Sequence, residues 1–281
     1  MIINNSILKK VYKPRPKNSK KGDFGKLLVI GGCEKYSGAP ALNALAAQAT
    51  ACLKTGVDVV EIAAPERAAN MIAKFSPNLI TISLKGSFLT NNHLKKLLNE
   101  SENKSGFVMG GGIGKNPKTI KLVQNYLQKI KILGVIDADA IYALKNLNKK
   151  INLSNFVFTP HEKEFERLTK IKLKDDLNEK IKQVKLAGKK LNTTILLKGN
   201  VDIISDGKQT AINKTGNPYM TKGGTGDVLA GICGSLIAQG NDLFDSACAS
   251  AYINGKAGEL TKKKISLTAM DLIEKIGDVV G

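Results

Sequence analysis

Short apolar runs bounded by glycine alternate along this chain with longer segments whose apolar residues recur every three or four positions. The two periods predict strands and helices in turn. Residues 26–30 form the first apolar run, closed by Gly31 and Gly32 as a turn. Residues 37–53 are rich in alanine and predict a helix packed closely on a sheet. Further strands are predicted at residues 57–63, 79–84, 107–109, 132–136, 156–159 and 194–197. Between them fall helices from about Glu66, around residues 92–99, and over residues 117–130, which open on proline. Another covers residues 175–191, where Leu177, Ile181, Val184 and Leu191 share one face. Residues 201–205 and 210–212 flank Asp206-Gly207 as a hairpin. Helices over residues 226–237, 244–261 and 269–280 close the chain. Repeated strand–helix units predict an α/β fold, a mostly parallel central sheet covered on both faces.

Each unusual segment follows a strand. They are GGGIG at residues 110–114, DADA at 137–140, TPHEKE at 159–164, KGN at 198–200 and, after the hairpin, GGTGD at 223–227. Ligands of such sheets gather at the carboxyl ends of the strands, so these segments predict one cleft. Gly31-Gly32 lacks the full GxGxxG fingerprint, which argues against a dinucleotide site there.

A chain of 281 residues can bury a sizeable core, and no repeat or linker divides it. Residues 1–20 read as a basic lead and residues 21–281 as one domain. No apolar run approaches the roughly 18 residues of a membrane span, and the lead lacks the apolar core of a signal peptide, so a cytoplasmic protein is expected. Cys33, Cys52, Cys233 and Cys248 form no CxxC pair, and with only His93 and His161 no zinc spacing arises; all four cysteines are expected to be reduced. The net charge of +19 invites a polyanion-binding reading. Against it, Arg15, Arg67 and Arg167 are the only arginines among 43 basic residues, and aromatics make up 5%. Specific nucleic-acid readers favour guanidinium forks and stacking platforms, so a solvated lysine surface is expected instead.

The chemistry concentrates in residues 213–237, NKTGNPYMTKGGTGDVLAGICGSLI. A polar loop runs into Gly223, Gly224, Thr225 and Gly226, then into a helix with Val228, Leu229, Ile232 and Leu236 on one face. Glycines at a helix N-terminus make an anion site. Asp227 inside it either caps the helix or does chemical work.

The pattern NxTGNPxMxxGGTGDVLAGI resembles the signature of the NAD(P)H-hydrate dehydratases, repair enzymes within the ribokinase-like superfamily. The resemblance runs from about Lys21 to Leu260. It implies a three-layer αβα ribokinase-like fold and ADP- or ATP-dependent dehydration of the S form of hydrated NADH or NADPH. AMP (or ADP) and phosphate would be released, and Mg²⁺ would serve as cofactor. By resemblance, Asp227 is the base, and Gly224, Thr225 and Gly226 hold the transferring phosphoryl group. The YSGAP, GGGIG and TPHEKEF segments then place Ala39, Gly112 and His161 on the hydrated nicotinamide nucleotide. The LLKGNVD segment places Lys198, Gly199, Asn200, Val201 and Asp202, with Gly226, on the adenine nucleotide. Three positions depart from the family pattern: Gly111 where proline is frequent, Lys163 where glycine-like residues are, and Asp202 where threonine is common. Asp137 and Asp139 match a VLDADALNAL-like segment and either cap the next helix or hold Mg²⁺ through water. The expected partners are these two nucleotides, a further copy of the chain as a homo-oligomer, and a separate NAD(P)H-hydrate epimerase, since residues 1–20 are too short to supply that domain. Two other readings stay open: a ribokinase-like kinase of a small alcohol, and a non-catalytic polyanion binder.

Overall fold

The computed structural model describes residues 1–47, 56–146 and 150–281. Its nine strands are β1 (Lys26–Ile30), β2 (Val59–Pro65), β3 (Ile80–Leu84), β4 (Gly106–Met109), β5 (Leu133–Ile136), β6 (Phe156–Phe158), β7 (Thr194–Leu197), β8 (Asp202–Ser205) and β9 (Thr210–Asn213). They form one sheet in the order β3-β2-β1-β4-β5-β6-β7-β8-β9. Pairing is parallel from β3 to β7, with Leu28 opposite Glu61 on one side and Phe107 on the other. The β8–β9 hairpin then joins antiparallel, with Leu197 opposite Ile203.

The helices are α1 (Ser6–Val11), α2 (Gly38–Ala47), α3 (Glu66–Ile72), α4 (Leu94–Glu102), α5 (Pro117–Lys129), α6 (Ala138–Ala143), α7 (Glu162–Thr169), α8 (Leu177–Leu191), α9 (Thr225–Ala238), α10 (Leu243–Leu260) and α11 (Ala269–Val280). Alternate residues of each strand point to opposite helical layers. Leu27 and Val29 meet Ala44, Ile232, Ile253 and Ile273 from α2, α9, α10 and α11. Leu28 and Ile30 meet Leu97, Val123 and Ile141 from α4, α5 and α6, and that layer continues under α7 and α8 around Phe165, Val184 and Ile195. This is the three-layer αβα arrangement with a mostly parallel sheet. Because both faces are covered, the central strands read as continuous apolar runs.

The predicted elements recur with ends moved by one to three residues. Three short helices, α1, α6 and α7, carry too few turns to show a period in sequence. Residues 1–11 of the basic lead belong to the packed structure: Ile3, Ile7 and Val11 are buried, and Ile2 bridges to Ile212 beyond the last strand. The helix expected over residues 37–53 is present to Ala47, and its remainder and Cys52 lie outside the described residues. Cys33, Cys233 and Cys248 are free, buried thiols.

One packing detail fixes the site. A Cβ on Gly231 would stand 2.3 Å from the Asn43 carbonyl oxygen, and one on Gly234 would stand 2.2 Å from a Val108 methyl. Only glycine lets α9 wedge so closely between α2 and β4, and that wedge sets where its N-terminus points.

Candidate active site

The carboxyl ends of β1, β4, β5, β6 and β7 open on one side of the sheet, and the glycine loops there interlock. Gly32 N–H donates to the Gly111 carbonyl at 2.8 Å. Gly110 has φ +138°, and a Cβ there would stand 1.8 Å from the Asp137 carbonyl oxygen, so its glycine is required by neighbouring protein backbone. Gly111 faces the chemistry: a Cβ there would lie 2.9 Å from Asn43 Oδ1, 3.1 Å from Ala39 Cβ and 3.2 Å from Asp227 Oδ1. Gly112, at φ +66°, lies against Tyr36 and Ala39.

Gly224, at φ +97°, is the N-cap residue of α9 and turns the chain into the helix with no side-chain cap. Among the described residues the Gly226 and Asp227 N–H groups find no hydrogen-bond partner. They add to the positive end of the α9 dipole, which suits an anion. Asp227 is not a cap. Its carboxylate accepts no hydrogen bond among the described residues, while its carbonyl accepts one from Asn43 Nδ2 at 2.8 Å. Burial pushes the Asp227 carboxyl up to about 7; the charge of Asp137 raises it further and that of Lys198 opposes.

Asp137 stands at the end of β5, 3% exposed. It occupies the N-cap position of α6 without capping it. Its Oδ1 accepts from Thr159 Oγ1 at 2.8 Å and from Lys198 Nζ at 2.9 Å. Burial works against the charge on Lys198, but Asp137, Glu164 and Asp227 outweigh it and hold the ammonium above its ordinary range. That Nζ lies 3.2 Å from where a Cβ on Gly226 would stand, so the cation borders the anion site. Asp139 accepts from Gly114 N–H at 3.0 Å and braces the GGGIG loop.

His161 caps α7. Its Nδ1 accepts from the Lys163 and Glu164 N–H groups at 3.1 and 3.4 Å, while Glu164 accepts from the His161 N–H at 3.0 Å. These bonds leave the ring proton on Nε2, which lies 3.5 Å from Glu164 Oε1. Asp202 accepts from Gly199 N–H and Asn213 Nδ2, both at 3.1 Å, which ties the 198–202 turn to β9. Burial pushes its carboxyl up to about 6, and these hydrogen bonds and Lys198 oppose that.

A cavity of about 720 Å³ brings together His161, Lys198, Gly199, Asn200, Asp202, Thr225 and Gly226. Val201 does not line it; its N–H turns to Asn200 Oδ1. Ala39, Gly112 and Asp227 lie beside it, around Gly111. His161 thus lines the cavity with Lys198, whereas Ala39 and Gly112 lie around Gly111 with Asp227. Sequence reasoning passed over Asn43, Thr159, Tyr36, Leu229 and Asn254. The signal for Asn43 and Asn254 was a polar residue on an otherwise buried helix face.

Replacing Gly226 with alanine places a methyl 3.2 Å from the Lys198 ammonium, with the rest of the flexible Lys198 side chain next nearest, at a position where φ is not positive. The melting temperature should stay within about 2 °C while nucleotide affinity and turnover both fall by about tenfold. Unchanged kinetics would show that no ligand approaches this backbone.

A family model described as NAD(P)H-hydrate dehydratase matches residues 27–278. A bifunctional NAD(P)H-hydrate repair enzyme of Pyrobaculum aerophilum is 40% identical over 270 residues, covering 95% of this chain and 52% of that protein. An ADP-dependent (S)-NAD(P)H-hydrate dehydratase of Nitrosopumilus maritimus is 36% identical over 283 residues, covering 99% of this chain and 96% of that protein. Among solved structures, the ADP/ATP-dependent NAD(P)H-hydrate dehydratase from Bacillus subtilis, co-crystallized with ATP and Mg²⁺, superposes with a TM-score of 0.83 at 23% identity, over 99% of this chain and 96% of that one. That likeness shows a shared fold. The chain spans about half the length of the bifunctional relative and nearly all of the Nitrosopumilus one.

Proposed function

The chain belongs to the NAD(P)H-hydrate dehydratase family, and from that premise we propose that it dehydrates the S form of hydrated NADH and NADPH, restoring NADH and NADPH at the expense of ADP or ATP. The observation that carries this reading is Asp227: a carboxylate with no hydrogen-bond partner among the described residues, raised to about 7, beside unpaired N–H groups at a helix N-terminus. A bare carboxylate there would repel phosphate unless it accepted a proton during the reaction.

In this mechanism Asp227 takes the proton of the ring hydroxyl as that oxygen attacks the terminal phosphorus of the nucleotide. The Gly226 and Asp227 N–H groups and Lys198 meet the charge that develops on the transferring phosphoryl group. The bond from phosphorus to the bridging oxygen breaks, and AMP or ADP leaves. The new phosphate ester is a better leaving group than hydroxide. The ring nitrogen's lone pair expels it, loss of a ring proton completes the double bond, and the dihydropyridine is restored. Gly111, without a side chain, keeps room beside Asp227 for the flat ring, and Ala39 offers it a small apolar surface.

The donor set suits Mg²⁺ held mainly by nucleotide phosphates and water. Asp137 Oδ1 is engaged by Thr159 and Lys198, and its second oxygen is free to meet the hydration shell. When bound, the ion would supply charge neutralisation at the phosphates. A separate epimerase and a homo-oligomeric assembly belong to the same proposal.

The direct test is incubation with hydrated NADH plus ADP or ATP, reading the return of reduced-ring absorbance together with release of phosphate. A phosphorylated product that accumulates without recovery of the ring would make the chain a kinase instead. His161→Asn tests the substrate role that the resemblance implies for His161 against the nucleotide role that its place beside Lys198 in the cavity would give it; asparagine keeps an acceptor for the α7 cap but loses the ring. The Michaelis constant for hydrated NADH should rise about five- to twentyfold while that for ADP or ATP stays within twofold. A shift in the nucleotide constant alone would move His161 to the other subsite.

A further inference from the structure

Asn254 lies on α10, lines the cavity and is 8% exposed, and its Oδ1 has no hydrogen-bond partner. No hydrogen bond from its Nδ2 occurs among the described residues either. Leaving a buried amide unpaired is costly, so such a group is retained where something outside the chain completes it. The cavity around it differs from the cavity around Lys198. Leu229 and Met220 supply apolar walls, and two glycines keep the space flat: a Cβ on Gly216 would lie 3.3 Å from Met220 Sδ and 3.6 Å from Gly255 Cα. One part of the cavity is cationic and faces a helix N-terminus; the other has apolar walls and two amides, of which Asn217 is satisfied by Gly258 and Tyr219 and Asn254 is not. A nucleoside diphosphate has the same division, phosphates at one end and a flat heteroaromatic ring with a polar edge at the other.

We propose that Asn254 reads the base of the bound nucleotide, its amide pairing with the N6 amino group and N7 of adenine. This rests on the reading of the cavity as the nucleotide site and adds which residue selects the base. The pairing is the bidentate one that the asparagine amide makes with adenine, the oxygen accepting from N6 and the nitrogen donating to N7. Hypoxanthine offers acceptors at both positions. However the Asn254 amide turns, one of its hydrogen bonds is then lost and two acceptors are left facing each other. The site therefore excludes 6-oxopurines by leaving a buried group unsatisfied, the strongest form of discrimination available to a neutral pocket.

Equilibrium titration of the intact protein with Mg-ADP, Mg-IDP and pyrophosphate tests this. ADP should bind at least about tenfold more tightly than IDP. Asn254→Ala should weaken ADP about tenfold, bring the ADP-to-IDP ratio within about threefold of one, and leave pyrophosphate unchanged, since the anion end is untouched. Asn254→Ser serves the same purpose if the alanine variant does not fold. Equal binding of ADP and IDP by the unaltered protein, with hydrated NADH still repaired, overturns the role of Asn254 and leaves the proposed function standing. A ratio that persists in both variants overturns it as well. No saturable binding of any nucleotide overturns both.

Discussion

Replacing Asp227 with asparagine is expected to lower turnover by about a hundredfold or more while nucleotide affinity stays within a few-fold. The substituted side chain has the same shape, so the unpaired N–H groups at the start of α9 keep their positions and the acceptor for the proton is lost. The same substitution should stabilise the protein. Because burial raises the Asp227 carboxyl to about 7 in the folded chain, the folded state holds a proton that the unfolded chain gives up near pH 4. Stability contributed by this group is thus present at low pH and is lost as pH rises toward 7. Asparagine removes that loss, so the variant should melt about 5 °C higher than the parent at pH 8 and nearly together with it at pH 4.5. Turnover of the parent should fall as pH drops below about 7, because the base must be unprotonated, and that limb should be missing in the residual activity of the variant. Near-normal turnover in the variant would reduce Asp227 to a structural residue and sink the mechanism.

Lys198→Ala should have two separable effects. It strips the ammonium from Asp137, whose side chain is 4% exposed and would keep only the Thr159 hydroxyl on Oδ1. Breaking a buried pair from one side leaves an uncompensated charge, here about 2–4 kcal/mol, or a melting temperature roughly 5–10 °C lower. It also removes a cation from the edge of the anion site, so affinity for ADP should fall by about ten- to a hundredfold. The double variant Lys198→Ala/Asp137→Asn separates the two. With no charge left to bury, its melting temperature should return most of the way, while nucleotide affinity stays low. Recovery of both together would show that Lys198 acts on the nucleotide only by keeping the fold intact.

Much of this was legible before any coordinates. Runs such as residues 26–30 and 132–136 are apolar at every position or nearly so, and strands buried on both faces must be. The glycine-rich turn before residues 226–237 announced an anion site because few other structures need glycines and an acidic residue at a helix start. Other features left no trace. Asp137 reads equally well as a cap or a metal ligand, and its actual partners, Thr159 and Lys198, lie far along the chain, each just past the end of a strand, β6 and β7. His161 looked like a lone histidine, yet its Nδ1 organises the first turn of α7. Gly110 looked like a ligand-facing glycine, and its requirement comes from the backbone of Asp137.

By itself the sequence determined the layers of the fold, the parallel sheet and the loops that form the cleft, because periodicity and glycine placement act over a few residues and are written locally. Only the tertiary structure decided which groups are charged, paired or unsatisfied. Asp227 is raised because its carboxylate is largely buried and faces the charge of Asp137, which Lys198 only partly offsets. Lys198 stays charged although partly buried because Asp137, at the neighbouring strand end but one, meets it. Protonation and pairing depend on desolvation and on distances between residues remote in sequence. Those quantities exist only once the chain has closed.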